Sequence, residues 1–212
     1  MPHDHISPSG HPFRADDDHP LSYWQGMEIA IRELLIEKGI ITAAEIAAQI
    51  DAMDSRSPAN GAEVVARAWI DPEFRTALQS DATQATADMG FDIGPMKLIA
   101  LENTPTLHNV VVCTLCSCYP RNLLGLPPDW YKSRAYRSRT VRDPRGVLAE
   151  FGLEIPDTTQ IRVHDSTADM RYIVIPNRPA GTDGWAVNDL ARLVTRDSMI
   201  GTGVAKTPTP LA

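Results

Sequence analysis

All three cysteines of this chain lie within six residues, and their type and spacing indicate chemistry more directly than any other feature. Cys113 and Cys116 are separated by two residues, and Cys116 and Cys118 by one. Three cysteines this close together are poorly placed to form disulfide bonds with one another, whereas three thiols on one short loop can converge on a single ion. Thiolates are soft ligands that favour transition metals. The spacing therefore predicts one metal or redox centre.

Two kinds of metal site are compatible with this spacing. Cys113 and Cys116 form a Cys-x-x-Cys pair, which is half of a common zinc site, and His108 could complete a Cys3His set. The Cys-Ser-Cys end favours a different site, because its two thiolates draw the backbone amide nitrogens of Ser117 and Cys118 toward the ion. Three sulfurs and two deprotonated amides suit a trivalent, strongly Lewis-acidic ion and leave a sixth octahedral position for water or substrate.

A longer run of residues around the cysteines resembles the α subunit of nitrile hydratase. The run begins at Val112 and continues beyond Cys118 through the segment Leu124-Gly125-Leu126-Pro127-Pro128-Asp129-Trp130-Tyr131-Lys132. Further stretches with the family pattern are Tyr136–Arg139, Val141–Leu148, Arg171-Tyr172, Arg178–Gly181 and Leu193–Asp197. The resemblance covers most of residues 24–204. It implies an α+β fold in which an N-terminal helical arm is followed by a layered α-β-β-α metal-binding domain.

The resemblance also implies a ligand set and a metal. The ligands would be the sulfurs of Cys113, Cys116 and Cys118 together with the backbone nitrogens of Ser117 and Cys118. Thr114 stands where cobalt enzymes of the family carry Thr and iron enzymes usually carry Ser, so it implies one cobalt(III) per chain rather than iron(III). Cys116 would become cysteine sulfinic acid and Cys118 cysteine sulfenic acid, which are successive steps of thiolate oxidation.

The implied activity is that of a lyase that hydrates a nitrile to the corresponding amide. The cobalt would polarise a nitrile bound at the open position, and either water or the sulfenate oxygen of Cys118 would attack the nitrile carbon. Cys118 and Ser117 are therefore the predicted catalytic residues. The resemblance also implies a partner β subunit, whose arginines bond the oxidised cysteine oxygens, and an activator protein that helps to load cobalt.

Two departures from the family pattern bear on the substrate. Arg121-Asn122 replaces the usual Trp-Pro pair, and the segment 90–96 lacks the glutamine that many family members place near the metal. These departures predict a pocket for a larger or more polar nitrile, such as a heteroaromatic nitrile of the toyocamycin type, lined by Arg121 and Tyr119. Beyond the cysteines, Asp165, Asp169 and Arg171 resemble a family segment of Asp, Glu and Arg that supports the site from a second layer or belongs to the subunit interface. Asp169 stands in place of the usual Glu, and an ordinary surface or structural ion pair is the alternative interpretation.

Alternatives to nitrile hydration remain open in the sequence. The cobalt subunit of thiocyanate hydrolase shares the Cys-Thr-Leu-Cys-Ser-Cys run, and Gly184-Trp185 resembles that enzyme, whereas Tyr119-Pro120 resembles cobalt nitrile hydratase. A module that holds or carries zinc or another metal without catalysis is a third interpretation.

Composition narrows the possible partners. The formal charge of -7 and the pI of about 5.3 argue against nucleic-acid binding. A basic run is interpreted as solvated surface or as an interface with acidic groups of a partner subunit; it comprises Lys132, Arg134, Arg137, Arg139, Arg142 and Arg145. Apolar stretches fall short of the roughly 20 residues needed to span a bilayer, and a signal-peptide pattern is missing at the N-terminus, so we expect no membrane contact and a cytoplasmic location.

The pattern along the chain predicts three regions. Residues 1–20, which contain four histidines, are expected to form a flexible tail, residues 21–90 a helical arm, and residues 91–212 the catalytic domain. Helices are predicted over 24–38, from a Thr42–Glu45 capping box to Met53, over 61–70, and as one further helix from Pro72 to Gly90. Strands are predicted over 97–101, 108–112, 160–163 and 171–175, with helices over 144–151 and 187–194.

Overall fold

The structure is a computed structural model that describes residues 20–208, so nearly all of the predicted tail, residues 1–20, lies outside the described residues. Along the sequence, the described chain divides into two compact units, and the division falls between Ile50 and Asp51. Within residues 20–208, no helix combines the length and the apolar composition needed to cross a membrane.

The first unit contains the predicted first helix, α1 (Tyr23–Glu37). Ser22 caps the helix by accepting a hydrogen bond from the Gln25 amide, while the Gln25 side chain accepts one from the Ser22 amide. Gly39, at a φ of 64°, follows the end of the helix. None of the α1 side chains is buried, although the helix carries Trp24 and Ile31. The predicted helix 24–38 is confirmed.

The second predicted helix is α2 (Ala43–Asp54), which crosses the boundary between the two units. The capping box forms as expected, because the Glu45 amide donates to Thr42 Oγ1 over 3.1 Å and the Thr42 amide donates to Glu45 Oε2 over 2.7 Å. Glu45 also lies in the first helical turn, where a carboxylate interacts favourably with the helix dipole.

Three further helices follow: α3 (Pro58–Ile70), α4 (Pro72–Ser80) and α5 (Ala82–Ala87). The prediction of one continuous helix from Pro72 to Gly90 is wrong. Asp81 ends α4, and its side chain accepts a hydrogen bond from the Gln84 amide, so a new helix begins there. Buried side chains from these helices, including Val64 and Leu78, join the core that contains Leu98 and Ile173. The domain limits 21–90 and 91–212 stay predictions.

The four strands form two small parallel sheets. β1 (Lys97–Glu102) pairs with β4 (Met170–Ile175), and β2 (Leu107–Val112) pairs with β3 (Gln160–Asp165). The four predicted strands are confirmed to within two residues at each end. Because parallel strands need a long crossover connection, β2 and β3 are joined by the whole segment of chain between them, and the connection from β1 to β4 contains β2, that segment and β3.

That crossover segment contains four helices, namely α6 (Arg121–Leu124), α7 (Asp129–Lys132), α8 (Arg134–Arg142) and α9 (Pro144–Glu150). Two helices follow β4, namely α10 (Val187–Ala191) and α11 (Arg196–Ile200). α9 and α10 correspond to the predicted helices, whereas α6, α7, α8 and α11 were not predicted.

Different helices pack on the two sheets, and α11 contacts a strand of each. α4 and α5 contact β1, α11 contacts β4, and α10 packs on α3, whereas α9 contacts β3 and α8 packs on α9. β2 and β4 contact each other, which brings the two sheets together in the middle. The predicted α+β fold with layered α-β-β-α order is therefore confirmed. The buried strands are rich in Val and Ile, as expected for parallel strands covered on both faces.

Gly201 shows how closely the layers approach. It ends α11 in the left-handed conformation, with φ of 86°. A Cβ atom at this position would lie 1.9 Å from the carbonyl oxygen of Asn109 in β2. Only glycine fits both the conformation and the space.

Candidate metal centre

The cysteine loop begins where β2 ends. Cys113 directly follows Val112 and is 1% exposed, whereas Cys116 is exposed and Cys118 is intermediate. In the sheet register Val112 is paired with Asp165, the last residue of β3. The loop therefore emerges at the carboxyl ends of two parallel strands, which is the usual place for functional loops in sheets of this kind.

The three sulfurs converge. The Sγ atoms of Cys113 and Cys116 are 3.5 Å apart, those of Cys116 and Cys118 are 3.1 Å apart, and all three lie within 4.8 Å of one another. These distances exceed the roughly 2.0 Å of a disulfide bond. With sulfur-to-metal distances of about 2.3 Å, two sulfurs at a right angle around one ion would be about 3.2 Å apart. The spacing of the thiols thus fits a single transition-metal ion.

The backbone of the loop also faces the cluster. The Cys116 amide donates a hydrogen bond to Cys113 Sγ over 3.3 Å. The amides of Ser117 and Cys118 lie close enough to the Cys116 sulfur to help lower the pKa of that thiol. Neither of these two amides donates a hydrogen bond to another group among residues 20–208. Amide nitrogens in this position fit the predicted role of metal ligands.

The thiols of Cys116 and Cys118 differ in acidity. Hydrogen bonds from the Cys118 and Cys113 thiols lower the pKa of Cys116 to about 7. Burial raises the pKa of Cys118, and the hydrogen bond shared with Cys116 raises it further, while the charge of Arg171 acts in the opposite direction. Of these two thiols Cys116 loses its proton first, and thiolates are the forms that bind metals and react with oxidants.

An aspartate of the neighbouring strand holds the first half of the loop. Asp165 accepts two hydrogen bonds from Thr114, one from the amide over 2.8 Å and one from the hydroxyl over 2.5 Å. The two carboxylate oxygens are used separately, Oδ1 by the amide and Oδ2 by the hydroxyl. This arrangement orients the residue next to the first cysteine and orders the turn that follows.

Buried groups hold the second half of the loop. The Tyr131 hydroxyl donates to the Cys118 carbonyl oxygen over 2.8 Å, and Arg171 Nε donates to the Tyr119 carbonyl oxygen over 3.2 Å. Arg171 Nη1 also donates to the carbonyl oxygens of Thr167, Ala168 and Met170. Arg171 is 9% exposed, and Tyr131 is fully buried, which raises the pKa of its hydroxyl.

Comparison with known proteins identifies the family. The sequence pattern described as "Nitrile hydratase, alpha chain" matches residues 22–203. This chain belongs to the nitrile hydratase α-chain family. A cobalt-containing relative, the high-molecular weight cobalt-containing nitrile hydratase subunit alpha of Rhodococcus rhodochrous, is 53% identical over 183 residues, which cover 84% of this chain and 90% of the relative.

The related proteins include one that is named for a different activity and one that is described as Fe-type. The thiocyanate hydrolase subunit gamma of Thiobacillus thioparus is 46% identical over 198 residues, which cover 88% of this chain and 82% of that subunit. Among solved structures, a double mutant of the Fe-type nitrile hydratase of Comamonas testosteroni Ni1 aligns with a TM-score of 0.83 at 40% identity, covering 92% of this chain and 97% of that chain. These similarities confirm the predicted family.

For this member of the nitrile hydratase α-chain family, the other predicted site residues lie in different environments. Tyr119 is 2% exposed, its ring packs edge-on against Tyr131, and burial raises the pKa of its hydroxyl, which has no partner within the described chain. Arg121 begins α6 and is exposed, with Nη2 3.8 Å from Met53 Sδ. Asp169 is exposed, and its carbonyl oxygen accepts from the Lys97 amide. Their roles as pocket or supporting residues stay predictions.

His108 does not complete a Cys3His site. Its ring lies at the start of β2, where Nδ1 is 3.3 Å from Asn103 Nδ2 and Nε2 is 2.7 Å from the Gly201 carbonyl oxygen. Both ring nitrogens are therefore occupied within the core, and burial lowers the pKa of the imidazole. Within residues 20–208, the only group of three or more Cys, His, Asp or Glu side chains close enough to share an ion is the three cysteines.

Sequence reasoning missed Tyr131 and Tyr136. The Tyr136 hydroxyl donates to the Val111 carbonyl oxygen over 2.7 Å, just before the loop, and Tyr131 supports the loop itself. Both tyrosines fall in segments that carry the family resemblance, but neither has a chemical signature that separates it from an ordinary core aromatic. Their shared role, which is to donate to carbonyl oxygens at Val111 and Cys118, could be recognised only once the fold was known.

Proposed function

We propose that this chain is the α subunit of a cobalt nitrile hydratase, which hydrates a nitrile to its amide together with a β-type partner chain. The observation that carries the proposal is the convergence of three cysteine sulfurs on one loop at the ends of β2 and β3. When bound there, cobalt(III) would supply a Lewis acid that polarises the nitrile triple bond. The sulfurs of Cys113, Cys116 and Cys118 and the amide nitrogens of Ser117 and Cys118 would hold one ion per chain.

The protein residues supply order and access at this centre. Cys113 is buried and anchors the cluster to the end of β2, whereas Cys116 is exposed to oxidants. This difference supports the proposal that Cys116 is oxidised to sulfinic acid and Cys118 to sulfenic acid while Cys113 stays a thiolate. Tyr131 and Arg171 donate to the carbonyl oxygens of Cys118 and Tyr119, and these contacts hold the backbone that directly follows the third sulfur.

Cobalt is favoured over iron by sequence similarity and by one residue. The cobalt-containing relative is 53% identical, whereas the Fe-type structure is 40% identical. Thr114 occupies the position that the family resemblance associates with cobalt, and both its amide and its hydroxyl are held by Asp165. The iron(III) form is the less favoured alternative.

The proposed substrate is a bulky or polar heteroaromatic nitrile. The two departures from the family pattern contact each other, because Asn122 Nδ2 donates to the Ile93 carbonyl oxygen over 2.8 Å. Asn122 Oδ1 also accepts a hydrogen bond from Arg56 Nη1 over 3.0 Å. A polar, hydrogen-bonded junction thus stands where a Trp-Pro pair is usual, which supports a pocket shaped for something other than a small aliphatic nitrile.

The test combines metal analysis with turnover. The chain would be produced with its co-expressed β-type partner while cobalt, iron and zinc are all supplied, and metal content would be measured by elemental mass spectrometry. We expect about one cobalt per chain, two added oxygens on Cys116 and one on Cys118. Zinc without cysteine oxidation would contradict the proposal and would favour a metal-carrier module.

Turnover of acrylonitrile and of a toyocamycin-type heteroaromatic nitrile would then be compared at matched concentrations. We expect a higher kcat/KM for the heteroaromatic nitrile. A clear preference for acrylonitrile would disprove the substrate proposal while leaving nitrile hydration intact.

Thiocyanate hydrolysis is the second candidate, because thiocyanate hydrolase subunit gamma is 46% identical to this chain. Release of carbonyl sulfide and ammonia from thiocyanate by the assembled protein, without amide formation from nitriles, would favour that activity. The cobalt activator protein and the cytoplasmic location stay predictions, which cobalt loading with and without a co-expressed candidate activator and cell fractionation would test.

A further inference from the structure

The basic run between Lys132 and Arg145 separates into two groups in the fold. Arg139 forms a paired contact with Glu150, with nitrogen-to-oxygen distances of 2.9 and 2.5 Å. Arg145 donates to the backbone carbonyl oxygens of Ile155, Pro156 and Thr159. These two arginines therefore stabilise the fold of the chain itself. Arg134 and Arg137 form no ion pair with any residue in the described range 20–208.

Arg134 and Arg137 line a cavity beside the cysteine loop. The cavity has a volume of about 600 Å³, and its lining consists of Thr114, Leu115, Arg134, Arg137 and Ser138. Two of these five side chains are cationic, and none is acidic. A concave surface with this charge attracts an anionic group.

Arg137 is not fully satisfied within the described chain. Its Nε atom is buried and has no hydrogen-bond partner among the described residues. A buried donor on a charged group that lacks a partner is costly, and such donors are nearly always satisfied in native assemblies. Asp165, the acid that accepts hydrogen bonds from Thr114, is not among the residues that line the cavity.

The lining also includes an apolar side chain. Leu115, at the tip of the loop between Cys113 and Cys116, is 88% exposed. A free inorganic anion would gain nothing from this side chain, whereas a protein segment that carries a carboxylate could cover Leu115 and pair with the arginines at once. Arginine is well suited to such pairing, since its planar fork matches a carboxylate through two parallel hydrogen bonds.

We infer that this cavity is a docking site for an acidic side chain, Asp or Glu, of the β-type partner chain. The inference rests on the proposed hetero-oligomer and goes beyond it, because it assigns the contact to Arg134 and Arg137 and gives the chemistry of the group that enters. The carboxylate occupies the cavity beside the loop tip and α8, pairs with the guanidinium groups of Arg134 and Arg137, and covers the outer side of the loop next to Thr114.

The first test measures binding between the purified chain and its co-expressed β-type partner. The double variant Arg134→Gln with Arg137→Gln is compared with Arg142→Gln, which removes one positive charge from the exposed end of the same helix but does not line the cavity. We expect the double variant to raise Kd by about 10-fold or more, with a weaker dependence of Kd on salt. Arg142→Gln should change Kd by less than about two-fold. Equal Kd values for all three proteins would overturn the inference.

A second measurement needs no substitution, so it remains decisive if the double variant fails to fold. Unaltered chain is treated with an arginine-directed dicarbonyl reagent in the presence and absence of the partner, and the modified residues are identified by peptide mass spectrometry. Protection of Arg134 and Arg137 but not of Arg142 by the partner supports the docking site. Protection by millimolar acetate alone, with none from the partner, would assign the cavity to a small free anion and overturn the inference.

Failure of this inference is distinguishable from failure of the proposed function. If the unaltered chains assemble and hydrate nitriles while the variants bind equally well, only the docking site is wrong. If the unaltered chains do not assemble at all, the proposal of a hetero-oligomer is wrong, and the docking site that depends on it is wrong as well.

Discussion

The two halves of the cysteine loop are held in opposite ways. Thr114 in the first half is held by Asp165, an exposed carboxylate at the end of β3. The second half, which ends at Tyr119, is held through its carbonyl oxygens by the buried side chains of Tyr131 and Arg171. The loop thus combines a solvent-exposed segment, which is open to a partner and to oxidants, with a segment whose backbone is ordered by the core.

The largest expected effect comes from breaking the buried support. Arg171→Ala would remove a buried side chain that donates to four backbone carbonyl oxygens, so we expect a loss of about 3 kcal/mol in the free energy of unfolding. Urea denaturation of the same preparations would measure it. Arg142→Ala, on the exposed end of α8, should cost less than about 0.5 kcal/mol. A similar loss for both variants would contradict the special role of Arg171.

The exposed support should matter more for the metal than for folding. Asp165→Asn keeps one acceptor oxygen but cannot accept from both the amide and the hydroxyl of Thr114, so we expect cobalt retention to fall by about 10-fold. The free energy of unfolding should change by less than about 1 kcal/mol. Competition with a chelator would measure cobalt retention.

The matched control for this change is Asp183→Asn, which removes the same charge from an exposed residue between β4 and α10. Equal loss of cobalt from the Asp165 and Asp183 variants would show that net charge, and not the contact with Thr114, governs retention.

Two buried tyrosines allow the effect of backbone support to be separated from simple packing. Tyr131→Phe and Tyr136→Phe each remove one hydroxyl that donates to a carbonyl oxygen, of Cys118 and Val111 respectively. Each should lower the free energy of unfolding by about 1 kcal/mol. Only Tyr131→Phe should also speed cobalt exchange, because Val111 lies inside β2 and is held by the strand. Equal exchange rates in the two variants would argue that neither hydroxyl orders the loop.

The smallest expected effect concerns Thr114. Thr114→Ser keeps the hydroxyl that donates to Asp165, so we expect changes below about two-fold in cobalt retention and below about 0.5 kcal/mol in the free energy of unfolding. Thr114→Val keeps the shape but removes the hydroxyl and should lose more cobalt than the Ser variant. If the Ser variant lost as much as the Val variant, the methyl group and not the hydroxyl would be the important contact.

Local patterns explain why much of the fold could be predicted. The Thr42–Glu45 capping box and the short β-branched strands are encoded by near neighbours, and both appear where expected. The break between α4 and α5 at Asp81 was not predicted. In a sequence, an aspartate inside a helix cannot be distinguished from an aspartate that caps the start of one. Helices α6 and α7, of four residues each, are too short to leave a periodic signal.

At the site, contacts between residues that lie far apart in the sequence could not be predicted. The cysteine cluster was predictable because its members lie within six residues, whereas Asp165 reaches Thr114 only through the parallel register of β2 and β3. His108 was a reasonable zinc ligand by chemistry alone. His108 lies five residues before Cys113 on an extended strand, which places the Cα atoms of the two residues about 16 Å apart. Strand geometry, rather than ligand chemistry, rules it out.

Several helices of this chain meet without any linker, because one residue ends a helix and starts the next. Asp71, Asp81, Ser133 and Asp143 each serve in this double role. Peptide tags, reporter insertions and crossover points for chimeras with related subunits should therefore avoid these four junctions, where one added residue would separate a cap from its helix.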